Sequence, residues 1–304
     1  MQKSEIRKDY LSNKCVIITP SRSKRPRDIK EETIISRAAH CQFCPDKINH
    51  KNILDRIKAP EGEILSIKNI FPALTLDNKK AYGRQEVIIE TPDHKKELHD
   101  LSQEQIEQLL KIYAKRTEAL SKIKNIEYIL CFKNQGSKAG ASIVHAHSQI
   151  FASSILPPDI KEEFNLEKRY QDEHKTCAYC DIIKREMKSP RKIYEDKFIA
   201  AFSPYASQYH YEAWIFTKRH LDNITKLNGG EFASFAKAMK KILIKLNSLD
   251  LSFNYFFHQI ISNNSQHFCM KIQPRASIWA GVELGSGMVI NSIAPEQAAK
   301  FFRK

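Results

Sequence analysis

The segment His145-Ala-His147-Ser-Gln149-Ile150 decides how the rest of this chain is interpreted. In a β-strand, side chains at positions i, i+2 and i+4 project from the same face, so His145, His147 and Gln149 are predicted to share one face. Two imidazoles and an amide in a row are costly in an apolar core, which leaves a solvent-exposed face or a functional site. The pattern favours a functional site, because the Gly- and Ser-rich loop before it (134–142) can bring backbone N–H groups close to a phosphate.

The pattern around this segment occurs twice in the chain, which indicates an internal duplication. Glu86 to His94 aligns without a gap with Glu212 to His220, at an offset of 126 residues (220 − 94). Further along the chain, His145 to Ile150 aligns with His267 to Ile272. The two series of matches follow the same order, as expected for two structurally equivalent halves.

Four of the seven cysteines form two Cys-x-x-Cys pairs, Cys41/Cys44 and Cys177/Cys180. A two-residue gap lets both thiolates reach one tetrahedral ion, whereas the alternative, a thioredoxin-like redox pair, is expected at a helix start after a buried strand. In each half, two histidines follow the pair at similar spacing, which favours a metal. We therefore predict one zinc site in each half, with the ligands Cys41, Cys44, His94 and His145 in the first and Cys177, Cys180, His220 and His267 in the second.

The rest of the pattern predicts an α+β fold with antiparallel sheets flanked by helices, in two duplicated halves. Strands in hairpin order surround one amphipathic helix in each half, one after the capping signal Ser102/Gln105 and one over 231–246. Pro157-Pro158 and a charged connector with a predicted helix separate the halves, so we expect one domain at 1–158 and its copy at 159–304. A final helix is predicted at 295–302, and the predicted strands are 83–90, 128–133, 142–152, 198–202, 212–217, 254–262 and 267–278.

Composition and charge exclude several classes of protein. The 304 residues are 42% apolar and 28% charged, which excludes overall disorder, and the nine glycines exclude a collagen-like chain. No apolar run approaches the roughly 20 residues that cross a bilayer, and the first ten residues are polar and charged, so we expect a cytoplasmic protein without a membrane partner. The net charge of +14 makes nucleic acid the alternative partner. Because the lysines are scattered over predicted helix faces, we expect a solvated surface and no nucleic-acid partner.

These motifs resemble those of the galactose-1-phosphate uridylyltransferase family, which belongs to the histidine-triad superfamily. The resemblance extends from about Tyr10 to Ala299. It implies a nucleotidyltransferase with two histidine-triad-like halves, the first catalytic and the second degenerate. The matching segments are Arg22-Ser-Lys-Arg25-Pro26, Cys41-Gln-Phe-Cys44, Asn69-Ile-Phe71-Pro72-Ala73-Leu74, Glu86 to His94, Asn134 to Ser142, His145 to Gln149, Pro274-Arg275, Gly281 to Gly287 and Ile290-Asn291.

The mechanism that the resemblance implies is double displacement with His147 as the nucleophile. Its imidazole would attack the α-phosphorus of a nucleoside diphosphate sugar, release hexose 1-phosphate and carry the nucleotide until a phosphate acceptor takes it. Gln149 resembles a family glutamine that hydrogen-bonds a phosphoryl oxygen, and a neutral amide there favours transfer over hydrolysis. For one matching residue, Phe71, a core position is the alternative. The residues at substrate-binding positions are Arg22, Arg25, Asn69, Phe71, Asn134, Gly140, Ser142, Glu283, Gly285, Ser286 and Gly287.

The resemblance also assigns roles to the metals and to the second half. Both zinc sites are expected to be structural, because four protein ligands leave no position for substrate. Cys269 replaces the nucleophile and Lys271 replaces the glutamine, so the second half is expected to supply sugar- and phosphate-binding groups to the first. In the family the second metal, where present, can be a different one that uses other histidines, so His258 is a further candidate ligand.

The substrates implied are a nucleoside diphosphate sugar and either a sugar 1-phosphate or inorganic phosphate. The expected reaction is of the UDP-glucose plus galactose 1-phosphate type. Two departures favour the alternative, an ADP-glucose or dinucleoside polyphosphate phosphorylase: Val282 replaces an aromatic residue of galactose-using members, and Gly285-Ser-Gly287 is similar to the ADP-glucose phosphorylase branch. Family members are commonly dimers, so the resemblance also implies a homodimer.

Overall fold

The computed structural model describes residues 4–20, 41–261 and 266–304, and these contain thirteen β-strands and six α-helices. None of the helices in these ranges has the length and apolar character needed to cross a bilayer. The strands are β1 (Glu5–Lys8), β2 (Cys15–Ile18), β3 (Ile53–Ile57), β4 (Ile64–Lys68), β5 (Gly83–Ile89), β6 (Tyr128–Gln135), β7 (His147–Ser153), β8 (Lys192–Glu195), β9 (Ile199–Phe202), β10 (Ala213–Thr217), β11 (Phe253–His258), β12 (Cys269–Pro274) and β13 (Val289–Asn291). The helices are α1 (Gln103–Ser121), α2 (Pro158–His174), α3 (Ala178–Glu186), α4 (Gly229–Asn247), α5 (Gly281–Ser286) and α6 (Pro295–Arg303).

Ten strands form one antiparallel sheet that the two halves share. Its order is β3-β4-β5-β7-β6-β11-β12-β10-β9-β8, so the second half repeats the strand order of the first from the opposite edge. The halves meet where β6 pairs with β11, with Phe132 opposite Phe256. The predicted α+β fold with two duplicated halves is confirmed. A small second sheet, β1-β2-β13, lies outside the sequence prediction, and its β2–β13 pairing is parallel.

Helices α1 and α4 pack against each other and against the sheet, and they enclose the main core. The first begins after Ser102, whose hydroxyl accepts a hydrogen bond from the Gln105 amide, and the second begins after Asn228 with a capping box to Glu231. Both helices bury apolar residues at helical spacing, and each fully buried Leu, Ile or Phe contributes about 1.5–3 kcal/mol. These residues include Ile106, Leu109, Leu110 and Tyr113 of α1 and Phe235, Met239, Ile242, Leu243 and Leu246 of α4.

The start of β7 differs from the prediction of a strand over 142–152. This strand begins at His147, so His145 lies in a bend just before it, although the Glu90 amide still donates to the Ala146 carbonyl (3.1 Å). At this bend the His145 ring faces Cys41, with Nδ1 3.6 Å from the Cys41 Sγ. The single-strand arrangement predicted for the two histidines is therefore wrong.

Two further details concern the ends of elements. Gln105 does not complete the predicted capping box, because its side-chain amide donates to the carbonyls of Gly62 (3.3 Å) and Glu90 (3.0 Å) and so ties α1 to the end of β5. The chain crosses between the halves in α2, which begins at Pro158. The domain boundary between residues 158 and 159 stays a prediction.

Candidate active site and metal centres

The first Cys-Cys-His-His cluster comes together as the spacing predicts. The ligand atoms of Cys41, Cys44, His94 and His145 all lie within 4.8 Å of one another. His145 Nδ1 is 3.6 Å from Cys41 Sγ and 3.7 Å from Cys44 Sγ, and His94 Nδ1 is 3.5 Å from Cys44 Sγ. A tetrahedral ion with metal–sulfur and metal–nitrogen bonds of about 2.3 and 2.1 Å places sulfur and nitrogen about 3.6 Å apart. The donors and their spacing therefore fit a tetrahedral metal.

A hydrogen bond outside the cluster sets the orientation of the His145 ring. Its Nε2–H donates to the main-chain carbonyl of Thr91 (2.8 Å), so Nδ1 carries the lone pair that faces the cysteines. Metal-binding histidines are commonly oriented by such a bond from the other ring nitrogen. This tautomer makes His145 a ready ligand before any ion binds.

The second cluster repeats this arrangement in the other half. The ligand atoms of Cys177, Cys180, His220 and His267 also lie within 4.8 Å of one another. Cys180 Sγ is 3.6 Å from His220 Nδ1 and 3.5 Å from His267 Nδ1. His267 Nε2–H donates to the Thr217 carbonyl (2.7 Å), the counterpart of Thr91 at the 126-residue offset. Both predicted sets of ligands thus form groups that can hold a metal.

His147 lies beside the first cluster and has one ring nitrogen available for chemistry. Its Nδ1–H donates to the main-chain carbonyl of His145 (2.8 Å), which leaves the lone pair on Nε2. The ring is 8% exposed, and the Phe43 ring from the Cys41-x-x-Cys44 turn packs on it with centroids 5.1 Å apart. Burial and the nearby Lys133 charge lower the pKa of His147 to about 4, so the imidazole is neutral at pH 7. A neutral, oriented imidazole is a competent nucleophile.

A cavity of about 490 Å³ adjoins His147, a size within the range of small-molecule sites. Four other residues predicted from the sequence, Gln149, Asn69, Phe71 and Ser142, line it. Phe71 is 85% exposed, so the core position considered as its alternative is excluded. Sequence reasoning gave no role to several other residues of the wall, which are Gln42, Phe43, Lys47, Ile48, Asn49, Asn52, Ile67, Lys68, Ile70, Val87 and Ile143.

Two lysines that the sequence motifs did not single out, Lys47 and Lys68, also line the cavity, and Lys47 forms an ion pair with Asp46 (3.3 Å). Ammonium groups on a partly enclosed surface raise the local concentration of phosphate-bearing ligands. The lysine-rich composition hides this signal, because the two lysines resemble many others until the fold places them at one cavity.

The structure places the other predicted substrate-binding residues away from the His147 cavity, or does not describe them. Arg22 and Arg25 lie outside the described residues. Asn134 accepts a hydrogen bond from the side-chain amide of Asn254 (2.8 Å), across the junction of the halves. Gly140 ends a short turn with φ +83°, a conformation that glycine adopts without strain. The remaining four, Glu283, Gly285, Ser286 and Gly287, lie on or directly after α5.

A second cavity, of about 610 Å³, is lined by residues 9 and 11–15 and by residues of the second half, which include Ser286 and Gly287. Lys271, which replaces the glutamine of the first half, donates to Glu163 (3.1 Å) and its ammonium lies 4.8 Å from the Trp214 ring centroid. Cys269, which replaces the nucleophile, is fully buried, and burial raises its pKa. This thiol is therefore protonated and inaccessible, as expected for a half without its own nucleophile.

His258, the further candidate ligand, lies in a third group with Glu163 and Glu167. Its Nε2 is 3.7 Å from Glu163 Oε1 and 3.8 Å from Glu167 Oε1. The ring is separate from the Cys177 cluster, whose four ligands are complete without it. His258 thus belongs to a separate group that could itself hold a metal, apart from the Cys177 cluster.

The two duplicated halves and the His147 cavity fit a nucleotidyltransferase, the class to which the named relatives of this chain belong. The family model described as galactose-1-phosphate uridyl transferase, N-terminal domain, matches residues 58–157. A relative from Arabidopsis thaliana, named ADP-glucose phosphorylase, is 30% identical over all of this chain and 93% of its own length. The chain belongs to the galactose-1-phosphate uridylyltransferase family.

Two further comparisons extend over almost the full length of both chains. The galactose-1-phosphate uridylyltransferase of Thermotoga maritima is 27% identical over 99% of this chain and 98% of its own. The crystal structure of an ADP-glucose phosphorylase from Arabidopsis thaliana with bound ADP-glucose matches with a TM-score of 0.85 and 28% identity, over 99% of each chain. Nucleotidyl transfer is therefore the activity of this family member, and its relatives include both kinds of enzyme.

Proposed function

We propose that this protein transfers a nucleoside monophosphate from a nucleoside diphosphate sugar to a phosphate acceptor, through a covalent intermediate on His147. The observation that carries the proposal is the hydrogen bond from His147 Nδ1–H to the His145 carbonyl, which reserves the Nε2 lone pair for the substrate. The adjoining cavity and the two lysines in its wall support a ligand that carries phosphate.

The transfer takes place in two displacements. Nε2 of His147 bonds to the α-phosphorus, the bond from this phosphorus to the bridging oxygen breaks, and hexose 1-phosphate leaves with that electron pair. An oxygen of the acceptor phosphate then attacks the same phosphorus, the N–P bond breaks and its electron pair returns to Nε2. The proton stays on Nδ1 throughout, where the His145 carbonyl stabilises the positive charge of the substituted ring.

Three cavity residues assist these steps. Gln149 donates its side-chain N–H to an oxygen of the transferred phosphoryl group, and Ser142 hydrogen-bonds the diphosphate. Phe71, exposed at the cavity, offers a flat ring on which a nucleobase stacks. Lys47 and Lys68 offset the charge of the diphosphate.

Zinc is the metal of both Cys-Cys-His-His groups. Two thiolates and two imidazoles are a common donor set for structural zinc, and the sulfur–nitrogen distances of 3.5–3.7 Å fit its tetrahedral geometry. Cys41 and Cys44, His94 after β5 and His145 two residues before β7 would hold the zinc, which would cross-link these three segments. The chain's own residues then do the chemistry: His145 anchors the start of β7, and Phe43 packs on the nucleophile.

A second candidate function differs in the acceptor. The main candidate reaction is of the UDP-glucose plus galactose 1-phosphate type, and the alternative uses inorganic phosphate on ADP-glucose. The alternative is supported by the 30% identity to a relative named ADP-glucose phosphorylase, and Val282 and Gly285-Ser-Gly287 favour the same branch. The covalent step on His147 is common to both.

The proposal extends to the assembly and its compartment. A homodimer accounts for the exposed apolar side chains on and beside α5, where Ile278, Val282 and Leu284 are exposed. The seven cysteines form no disulfide within the described residues, which is typical of a reducing compartment such as the cytoplasm.

A pulse–chase experiment with labelled nucleotide sugar distinguishes between the two possible acceptors. The protein is incubated with UDP-glucose or ADP-glucose labelled in the α-phosphate, and labelled protein is then mixed with galactose 1-phosphate or inorganic phosphate. If the protein transfers the nucleotide through a covalent intermediate, it should become labelled, and one of the two acceptors should then remove the label. Protein that takes up no label from either donor, while it still converts substrate, would overturn the covalent mechanism.

A further inference from the structure

We propose that Lys133 is a positioning residue for the nucleophile: its ammonium, held by Glu90, fixes the main-chain carbonyl of His147 from behind β7. This inference rests on the proposed role of His147. Lys133 Nζ is 2.7 Å from Glu90 Oε2 and donates to the His147 carbonyl at 3.0 Å. The lysine side chain is 1% exposed and the glutamate side chain 0%.

The ammonium group is buried beside two carboxylates. Burial lowers the pKa of Lys133, but the charges of Glu90 and Glu97 and hydrogen bonds with them outweigh burial and raise it above its usual value. The second carboxylate lies at 3.5 Å, and Oε1 of Glu90 makes no hydrogen bond within the described residues. Such a cluster is expensive to desolvate, and a buried ion pair is often no more stable than apolar side chains of similar volume.

The second half shows that this fold is built without the ion pair. The registers of β6 with β7 and of β11 with β12 make Phe257 the counterpart of Lys133. Phe257 is fully buried. The half that has Cys269 in place of the nucleophile therefore has a buried apolar side chain where the half with His147 has the buried ammonium group of Lys133.

The residue after the nucleophile shows the same contrast. Ser148 accepts a hydrogen bond from the Tyr113 hydroxyl (2.5 Å), which also lies 2.7 Å from the Tyr255 hydroxyl. In the second half Ser148 corresponds to Met270 and Tyr113 to Met239. A buried polar layer thus lies behind β7, and its counterparts behind β12 are apolar.

This arrangement holds the nucleophile at two points. The ring is held through Nδ1 by the His145 carbonyl, and the main chain of His147 is held through its own carbonyl by Lys133. A hydrogen bond to a main-chain oxygen is directional, so it fixes the position of the backbone from which the His147 side chain extends. Apolar packing alone restricts that position less. Positioning of this kind matters because a shift of about 1 Å at a reacting atom can slow a reaction about 100-fold.

The test removes the charges of Lys133 and Glu90 together in a Glu97→Gln background, so that no carboxylate of this cluster is left buried without its partner. In the double variant Glu90→Leu/Lys133→Met of this background, we expect a folded protein with a melting temperature at or above that of the Glu97→Gln parent, and a rate of His147 labelling lowered about 10- to 100-fold. The KM for the nucleotide sugar should change by less than about threefold, because no residue of the cavity wall is altered. Lys133→Arg, which keeps a donor and a charge, should retain more of the labelling rate than the double variant.

A matched control comes from the second half. Phe257→Met, at the position equivalent to Lys133, should lower the melting temperature through lost packing and leave the labelling rate unchanged. If the double variant is labelled at the rate of the Glu97→Gln parent, or does not fold, the positioning role is overturned. If wild type itself takes up no label, the proposed function fails instead, so the two failures are distinguishable.

Discussion

His147 Nδ1 and the main-chain carbonyl oxygen of His145 are 2.8 Å apart, and this hydrogen bond links a metal ligand to the nucleophile two residues later. The ring of His145 faces Cys41 and Cys44, while its carbonyl holds the ring of His147. Any change that loosens the metal cluster therefore also loosens the nucleophile. The consequences can be tested one residue at a time.

Substitution of the nucleophile should abolish transfer without unfolding the protein. His147→Ala removes a largely buried ring that lies outside both metal clusters, and we expect turnover to fall at least about 10³-fold. Circular dichroism and metal content should match wild type. Cys269→Ala, at the equivalent position of the second half, is the control and should keep its activity. Normal turnover in His147→Ala would contradict the mechanism.

Loss of a metal ligand should destabilise the protein. Cys41→Ala removes one of four donors, so we expect bound zinc to fall from two ions to one per chain and the melting temperature to fall by more than about 5 °C. Metal analysis and thermal unfolding measure both. Cys15→Ser, which changes a cysteine outside the clusters, should leave both unchanged. Two bound ions in Cys41→Ala would show that these residues do not hold the metal.

The exposed ring of Phe71 should bind the nucleobase. Phe71→Ala loses a stacking contact worth about 1–3 kcal/mol, so we expect the KM for the nucleotide sugar to rise roughly tenfold or more. Because the ring is exposed, the free energy of unfolding should stay within about 0.5 kcal/mol of wild type. Ile155→Ala, another exposed apolar residue outside the cavity wall, provides the control. An unchanged KM would place the base elsewhere.

The identity of residue 149 should control whether water competes with the acceptor. Gln149→His introduces a group that can donate a proton, so we expect the covalent intermediate to be lost to hydrolysis faster, with a lower ratio of transfer to hydrolysis. Product analysis with and without acceptor measures this ratio. Lys271→Gln, at the equivalent position of the second half, should not alter it. An unchanged ratio in Gln149→His would mean that this residue does not govern partitioning.

Local sequence patterns were sufficient to predict the metal clusters and most elements. Each cluster contains a Cys-x-x-Cys pair, and the same order of cysteines and histidines recurs in the other half. The short spacing and the duplication are two independent patterns, and both indicate a metal site. The helices around Leu109 and Phe235 follow from apolar residues at helical spacing. The bend at His145 could not be predicted from local patterns, because the residue that its ring faces there, Cys41, lies more than 100 residues earlier.

The residues around the nucleophile were harder to predict for the same reason. Asn134 matches a family motif, yet its side chain is held by Asn254 of the other half. The pairing of Lys133 with Glu90 joins residues 43 positions apart and depends on the strand order β5-β7-β6. One indication of this ion pair was present in the sequence, a lysine within a strand that was predicted to be buried. The partner of that lysine is revealed only by the fold.

The central claim is tested most directly by locating the nucleotide on the protein. After incubation with a nucleotide sugar labelled in the α-phosphate, the protein is denatured in base, where an N–P bond survives, and digested with trypsin. The account predicts acid-labile label in the peptide 139–161, with fragmentation placing one nucleotide on His147 and none on His145. Label on any other residue, or turnover with no labelled protein at any time, would contradict it.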